Sequence, residues 1–299
     1  MVVLGDPTRA PAGVPTEAEV LGRASGENFP VASRWLLGPA RNHLVALYGF
    51  ARLVDQLGDS ADGDRLALLD WAQAQLEEAA AGRAGHPVFC RLSPTIRSCR
   101  LPLQPFRDLI EANRRDQSVQ RYATFDQLRG YCRLSADSVG RLVLGVFGVA
   151  GEEETALSDS VCTGLQLVEH WQDVAEDAAA GRIYLPLEDM ETFGVTEAEV
   201  LAAGPGAGGP GGPASPRLRS LLAFETARAR DLLETGAGLV ARLRGRPRLA
   251  VAGFVAGGLA AADALAGSGY DVLTGPPRPR RARVAVHGAG LILRRGGRG

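Results

Sequence analysis

Two pairs of aspartates stand out in the sequence because each pair has the spacing of neighbours on one face of a helix. Asp55 and Asp59 form the first pair, and Asp173 and Asp177 form the second. Like charges at positions i and i+4 destabilise an isolated helix by a few tenths of a kcal/mol. Because this repulsion between aspartates occurs twice in one chain, we expect a bound cation to compensate for it. Mg²⁺ fits such pairs because proteins bind it through one or two carboxylates together with phosphate oxygens of a substrate.

Polar residues extend each aspartate pair into a stripe along an otherwise apolar helix. Tyr48 and Arg52 share the helix face of the first pair, and Gln166 and Glu169 share the face of the second. We expect the two stripes to face each other in a helical bundle, where the carboxylates would hold Mg²⁺. Arg52, Arg182 and Tyr48 would then bind the same diphosphate. The alternative interpretation is a pair of solvated helix faces, which is what most single Asp-x-x-x-Asp motifs are.

Other chemistry finds less support in the sequence. The four histidines have no ligand spacing, and His170 is predicted to turn away from the second stripe. The serines have no evident histidine base, so a hydrolase triad is not favoured. The four cysteines form no metal-ligand spacing and are expected to be free thiols. A Gly-rich dinucleotide fingerprint is also missing from the sequence.

The composition is that of a globular protein, with 299 residues, 45% hydrophobic and 22% charged. The formal net charge of −1 gives no support to bulk attraction to nucleic acid, and we expect no nucleic-acid partner. All 33 basic residues are arginines, and they are distributed unevenly. Residues 201–299 hold 15 arginines and five acids, and after Asp271 there are seven arginines and no acid. This basic end indicates either a surface for anionic lipid or an acidic partner, or simply a solvated tail.

The chain is expected to be cytoplasmic, with at most peripheral contact with a membrane face. Its first 20 residues show no apolar core of a signal peptide. The longest uncharged apolar run, residues 249–262, is shorter than the roughly 20 residues that a membrane span needs.

Helical periodicity runs through almost the whole chain, and we find no convincing strand alternation, so the sequence predicts an all-α fold. Capping boxes at Thr16, Thr124 and Thr196 mark three helix starts. The principal helices are predicted at residues 41–57, 65–80, 105–117, 124–149, 155–180, 217–243 and 249–265. We divide the chain into a loosely ordered leader (1–23), a single helical domain (24–273) that contains a Gly/Pro-rich loop (204–216), and a basic tail (274–299).

Four sequence blocks, in order, resemble the squalene/phytoene synthase family over roughly residues 24–273. The blocks are residues 26–34, 47–59, 131–144 and 165–186. The Asn-Phe-Pro-Val-Ala-Ser opening at residues 28–33 is similar to that of the bacterial hydroxysqualene synthase branch. The resemblance implies an isoprenoid (terpenoid) synthase helical bundle with a central cavity and Mg²⁺ as cofactor.

The resemblance also implies roles for individual residues. Asp55, Asp59, Asp173 and Asp177 would bind metal and, with Tyr48, act in catalysis. Glu169 would join the metal ligands, at a position where the family commonly has Asn, and Ser138 replaces a usual Pro. The implied substrate-binding residues are Arg52, Gln166, Asn28, Ser33, Val139, Gly140, Arg182 and Tyr184.

For this branch the implied reaction converts presqualene diphosphate and water into hydroxysqualene and diphosphate. The alternatives are head-to-head synthesis of squalene or phytoene from two prenyl diphosphates such as farnesyl diphosphate, or a catalytically idle helical subunit that stabilises a neighbouring pathway enzyme. Intact aspartate pairs argue against the idle subunit.

Overall fold

The computed structural model describes residues 10–22, 40–201 and 212–293. Within these ranges the chain is helical apart from turns, loops and an isolated bridge between Arg121 and Ile183, which confirms the all-α prediction. The helices are α1 (Glu17–Gly22), α2 (Arg41–Asp59), α3 (Arg65–Ala80), α4 (Pro87–Cys99), α5 (Gln104–Asp116), α6 (Phe125–Cys132), α7 (Ser138–Val146), α8 (Glu152–Gln172), α9 (Val174–Ala179), α10 (Leu187–Phe193), α11 (Glu197–Leu201), α12 (Pro216–Gly236), α13 (Gly238–Arg242), α14 (Gly245–Gly267) and α15 (Arg281–Leu293).

The first compact unit comprises Met1–Ser118 and Ser138–Thr155, and α2 lies at its centre. α2 packs against α3, α4, α5 and α7. Its fully buried Phe50 makes edge-on contacts with the rings of Phe89 and Phe106, at centroid distances of 5.9 and 5.1 Å. Such aromatic pairs add about 0.5–1.5 kcal/mol each beyond the apolar area they bury. The apolar side of α2 is therefore held firmly, which sets the direction of its polar side.

The second compact unit comprises Val119–Asp137 and Ala156–Gly299, and its long helices pack through small residues. A Cβ atom on Gly236 of α12 would lie 2.5 Å from Val161 Cγ2 and 2.8 Å from the backbone oxygen of Leu157. Only a glycine allows α12 and α8 to approach so closely. α14 is long and apolar enough to cross a membrane by length and composition, but 61% of its apolar window is buried in the structure, as in a core helix.

Several predicted elements are confirmed. All three capping boxes begin helices, and the backbone N–H groups of Glu19, Gln127 and Glu199 donate to the preceding threonine hydroxyls at 3.2–3.4 Å. α3 has the predicted bounds, and α2, α5 and α14 lie within a few residues of theirs. Asn28 and Ser33 lie outside the described residues, as does most of the predicted 204–216 loop. The division at residues 23 and 273 stays a prediction.

Three predicted helices are interrupted, and two helices, α4 and α10, were not predicted. The 124–149 helix contains a π-helical turn at Arg133–Asp137, the 155–180 helix breaks at Asp173, and the 217–243 helix breaks at Ala237. Periodicity does not register a local change of winding, because the polar and apolar residues keep nearly the same spacing across it. α4 escaped prediction because Pro94 lies in its interior, where proline normally breaks a helix.

The close crossing of α8 and α12 generates a stability prediction. We expect Gly236→Ala to lower the free energy of unfolding by about 1–3 kcal/mol, because the new methyl group meets backbone atoms that cannot rotate away. Gly253→Ala is the matched control, since a Cβ on this exposed residue of α14 meets nothing within 4 Å. It should raise stability by up to about 1 kcal/mol through the helix preference of alanine. Thermal unfolding of both purified variants tests this, and equal melting temperatures would contradict the close crossing.

Candidate active site

The first unit contains a cavity of about 170 Å³ in which a polar edge meets an apolar wall. α2 supplies Tyr48, Arg52 and Asp55 on successive turns of one face, so three of the four residues of the predicted stripe line this cavity. The apolar wall consists of Leu44, Leu47, Ala51, Leu109, Val139, Leu142 and Val143. Val139 thus lies where the sequence predicted, whereas Gly140 is buried in α7 and does not line this cavity. A carboxylate, a guanidinium and a phenol at the edge of an apolar cavity suit a ligand with an anionic head and a hydrocarbon chain.

The Asp55 carboxyl is partly removed from water and lies among other acids. Its pKa is raised to about 7, mainly by burial and also by the charges of Asp59 and Asp116, against the opposing effects of Asn113 and Arg52. Asp59 is exposed and does not line the cavity. The site therefore has an excess of acidic groups that a bound cation would relieve.

A polar contact that the sequence analysis missed positions Asp55. The side-chain amide of Asn113 on α5 lies 3.5 Å from Asp55 Oδ1 and donates to the backbone oxygen of Leu109 at 3.1 Å. Gln117 donates to the backbone oxygens of Gly58 and Asn113 at 2.9 and 3.0 Å. A Cβ on Gly58 would lie 2.3 Å from Asn113 Oδ1, so glycine makes room for this amide.

The second aspartate pair lies in the second unit, where the helix axis is interrupted. α8 ends at Gln172, Asp173 has φ −101° and ψ 13°, and α9 begins at Val174. The pKa of Asp173 is raised to about 6, first by burial and then by the charges of Glu169, Asp177 and Glu176. Aspartate is a poor helix former, and here it is surrounded by like charges, so both effects favour an interruption of the helix at this residue.

The prediction that His170 turns away from the acidic stripe is wrong, because its imidazole contacts residues of that stripe. Its Nε2 lies 3.2 Å from Gln166 Nε2, and its Nδ1 lies 3.9 Å from Asp177 Oδ2. The imidazole also stacks on Tyr184 with centroids 3.8 Å apart and an interplanar angle of 15°. Arg182 Nε lies 3.9 Å from Asp177 Oδ1 on the other side. Four predicted residues of this unit, namely Gln166, Asp177, Arg182 and Tyr184, are thus brought together around a histidine that the sequence analysis set aside.

The second site is nearly closed. A cavity of about 10 Å³ is lined by His170, Asp177, Arg182 and Tyr184 together with apolar side chains. Tyr122 and Tyr131 extend the aromatic stack beyond Tyr184, at centroid distances of 5.8 and 5.7 Å. Arg182 beside the Asp177 carboxylate gives this site a mixed charge that suits an anionic group bound together with a metal ion.

The donor sets fit a metal that relies on its substrate for further ligands. Among the described residues, no group of three or more His, Cys, Asp or Glu side chains is arranged to hold a metal ion by itself. Mg²⁺ does not need such a cage, because it keeps several water ligands and takes one or two carboxylates together with phosphate oxygens. Two acid-rich pairs, each with a carboxyl whose pKa is raised, meet that requirement. The prediction that both stripes face each other stays a prediction.

A family model described as squalene/phytoene synthase matches residues 23–287. A hydroxysqualene synthase of Sinorhizobium fredii is 34% identical over 223 residues, which are 73% of this chain and 72% of that protein. A phytoene synthase of Arthrospira platensis is 36% identical over 205 residues, which are 64% of this chain and 63% of that protein. The hydroxysqualene synthase of Zymomonas mobilis is 37% identical over 58% of this chain and 59% of its own length. The chain thus spans less than two thirds of the latter two relatives.

Solved structures resemble this chain over most of its length. The squalene synthase HpnC from Alicyclobacillus acidocaldarius is 42% identical and superposes with a TM-score of 0.76, covering 84% of this chain and 92% of that one. A dehydrosqualene synthase crystallised with a ligand superposes with a TM-score of 0.79 at 22% identity, covering 91% of this chain and 93% of its own. The second likeness concerns the fold alone.

The contact between Gly58 and Asn113 generates a double-variant prediction. Gly58→Ala should lower the melting temperature, because the new methyl group displaces the Asn113 amide from its place beside Asp55. In an Asn113→Ala background the same change should be nearly neutral or stabilising, since the obstructing side chain is gone. Thermal unfolding of the four proteins of this cycle measures the coupling. Equal effects of Gly58→Ala in both backgrounds would contradict the arrangement.

The raised pKa of Asp55 generates a pH prediction for the metal-free protein. A carboxyl that holds its proton more tightly in the folded than in the unfolded chain makes the free energy of unfolding fall as the pH rises from about 4 to about 7. Asp55→Asn removes that dependence. In the presence of a chelator it should therefore raise the melting temperature at pH 8 and change it little at pH 5.

Asp62→Asn, at an exposed aspartate of the same unit, is the control and should have no such pH-dependent effect. If Asp55→Asn and the unaltered protein had equal melting temperatures at both pH values, the pKa of this carboxyl would not be raised by folding.

Proposed function

This chain belongs to the squalene/phytoene synthase family, and from that premise we propose that it converts presqualene diphosphate and water into hydroxysqualene and diphosphate. The observation that carries the proposal is the cavity of the first unit, where Asp55, Arg52 and Tyr48 edge an apolar wall. In such a cavity the polar edge would contact the diphosphate of the ligand, and the apolar wall would contact its hydrocarbon chain. The bond that breaks joins the substrate carbon to the diphosphate oxygen, which leaves with the electron pair.

Mg²⁺ supplies charge neutralisation for a leaving diphosphate when it is bound. In the proposed reaction Asp55 and Asp59 would hold Mg²⁺ in one unit, and Asp173 and Asp177, with Glu169 beside them, would hold Mg²⁺ in the other. The chain's own cations then complete the binding of the diphosphate. Arg52 binds from α2, and Arg182 binds from the loop after α9, each through charge-assisted hydrogen bonds.

The apolar wall has its own part in the proposed reaction. Loss of diphosphate leaves a carbocation, which reacts with any nucleophile that reaches it. Leu142, Val143 and Leu109 offer it no nucleophile and exclude stray water. One water must nevertheless reach the rearranged cation, form the new carbon–oxygen bond and release a proton, since the product is an alcohol.

The hydroxysqualene synthase of Sinorhizobium fredii supports this specific reaction because its likeness covers about three quarters of the chain. A second candidate is head-to-head synthesis of squalene or phytoene from two prenyl diphosphates. It is favoured by the likeness to the phytoene synthase of Arthrospira platensis and to the squalene synthase HpnC.

Product identification distinguishes these reactions. Purified protein is incubated with presqualene diphosphate and Mg²⁺, and in parallel with farnesyl diphosphate and Mg²⁺, and the extracted products are identified by mass spectrometry. A hydroxylated C30 alcohol from presqualene diphosphate is the expected result. A C30 or C40 hydrocarbon from a prenyl diphosphate supports the second candidate. Unchanged presqualene diphosphate contradicts our proposal.

Asp173→Ala tests the metal role of the second pair. We expect turnover to fall at least roughly 100-fold while the helical circular dichroism spectrum is retained, because a metal ligand is lost from an already interrupted helix. The matched control is Asp231→Ala, at an exposed aspartate of α12 in the same unit, which should keep full turnover. Unaltered turnover in Asp173→Ala would remove this residue from the proposed metal site.

A further inference from the structure

The last described helix, α15, turns an apolar face to the solvent. Val286 and Leu293 are 64% and 78% exposed. Alanines at positions 282, 285 and 289 are also exposed and lie between them on the same side of the helix. A surface helix normally carries polar residues on its outer side. This face, defined by residues 282, 285, 286, 289 and 293, is called the outer face of α15.

Arginines border the outer face on both sides. Arg281 and Arg283 are exposed and lie roughly 200° apart around the helix, at the two edges of the apolar arc. From residue 272 to residue 299 the sequence contains seven arginines and no acid. An apolar strip between cationic edges is the pattern of a helix that lies in the plane of a membrane surface.

The inner side of α15 is anchored to α14, so the outer face is held in place. Leu291 is buried, and His287 Nε2 lies 2.8 Å from Asp263 Oδ2 of α14. A Cβ on Gly288 would come within 3.8 Å of Ala256, which shows how closely the two helices pack. Arg248 of α14 donates to the backbone oxygen of Ile292 at 2.8 Å. Because α15 is already packed on this side, its exposed apolar side chains are not needed for the fold of the unit.

A second feature of the same region is an arginine-lined cavity of about 350 Å³ at the start of α15. Arg278, Arg280 and Arg283 line it, and none of them forms an ion pair with a carboxylate among residues 10–22, 40–201 and 212–293. The carboxylate in its wall, Asp263, is already paired with Arg230 at 2.5 Å and with His287. The cavity thus presents uncompensated positive charge to an anionic group.

We propose that the outer face of α15 docks on the surface of an anionic phospholipid bilayer, with its apolar side chains in the acyl boundary and its arginines among the phosphate headgroups. The apolar side chains and the arginines would then both contribute to binding, because apolar burial and charge attraction act together at such a surface. A second copy of this chain is a poorer occupant, since a contact between two copies of this face would bring two arginine-rich ends together, with no acid between residues 272 and 299 to pair them. The inference does not depend on the reaction proposed above.

Co-sedimentation with lipid vesicles tests the docking. The full chain is mixed with vesicles of phosphatidylcholine alone, or of phosphatidylcholine with roughly 40 mol% phosphatidylglycerol as the source of surface charge. We expect binding to the anionic vesicles that weakens as salt is added, and little binding to the neutral ones. Equal binding to both kinds of vesicle, or binding to neither, overturns the proposal.

Two pairs of variants locate the contact. Val286→Glu with Leu293→Glu should lower the vesicle partition coefficient at least roughly 30-fold, because two apolar side chains are replaced by negative charges that the anionic membrane repels. Arg281→Gln with Arg283→Gln should lower it roughly 10- to 30-fold. Leu66→Glu and Arg97→Gln with Arg100→Gln are the matched controls, at an exposed leucine and two exposed arginines of the first unit, and should bind as the unaltered protein does.

Circular dichroism establishes that each variant is folded. If the variant with two glutamates does not fold, the variant with two glutamines in place of arginines still tests the proposal. Unchanged vesicle binding in the folded variants would overturn the proposal. Light scattering of the unaltered protein provides a further criterion. A dimer that is lost in the α15 variants, without any vesicle binding, would assign the outer face to a second copy instead.

Discussion

Carboxyl groups held away from water, beside other carboxyl groups, are the constraint on which the candidate site depends. An aspartate that loses its proton in such a place does so against burial and against its acidic neighbours. Asp55 and Asp173 both bear this cost, as their raised pKa values indicate. A single Asp→Asn substitution would remove the cost of ionising this carboxyl if the carboxylate had no function. In the proposed function a bound cation would relieve this cost by neutralising the acid-rich pairs.

The two units deal with this constraint differently. In the first, Asp55 stays on a continuous helix and is steadied from outside by the Asn113 amide, with Gly58 leaving the space that the amide needs. In the second, the helix is interrupted at Asp173, and Asp177, which follows the interruption, lies 3.9 Å from His170 Nδ1 and from Arg182 Nε. A stabilising neighbour and an interrupted helix are two physical answers to the same electrostatic cost.

Helix periodicity accounts for the part of the site that could be predicted from the sequence. A regular helix places residues three or four apart on one face, so Tyr48, Arg52 and Asp55 had to line a common surface once α2 formed. The same rule places His170 beside Gln166, four residues earlier on α8, so that contact could have been predicted. The rule does not predict the approach of Asp177 to His170, because Asp177 follows the break at Asp173. Asn113 could not be predicted because it meets Asp55 across 58 positions of sequence through tertiary packing.

The distances around Asp177 bear on how the second site would take up its ligands. Arg182 Nε and His170 Nδ1 each lie 3.9 Å from its carboxylate oxygens, beyond normal hydrogen-bond length. Arg182 therefore offsets the charge of Asp177 without a direct hydrogen bond between the two side chains. In the proposed reaction the incoming diphosphate would draw Arg182 toward itself, and the metal that accompanies the diphosphate would replace the lost positive charge at Asp177. Metal and diphosphate would then favour each other's binding, because each removes the repulsion that the other would meet alone.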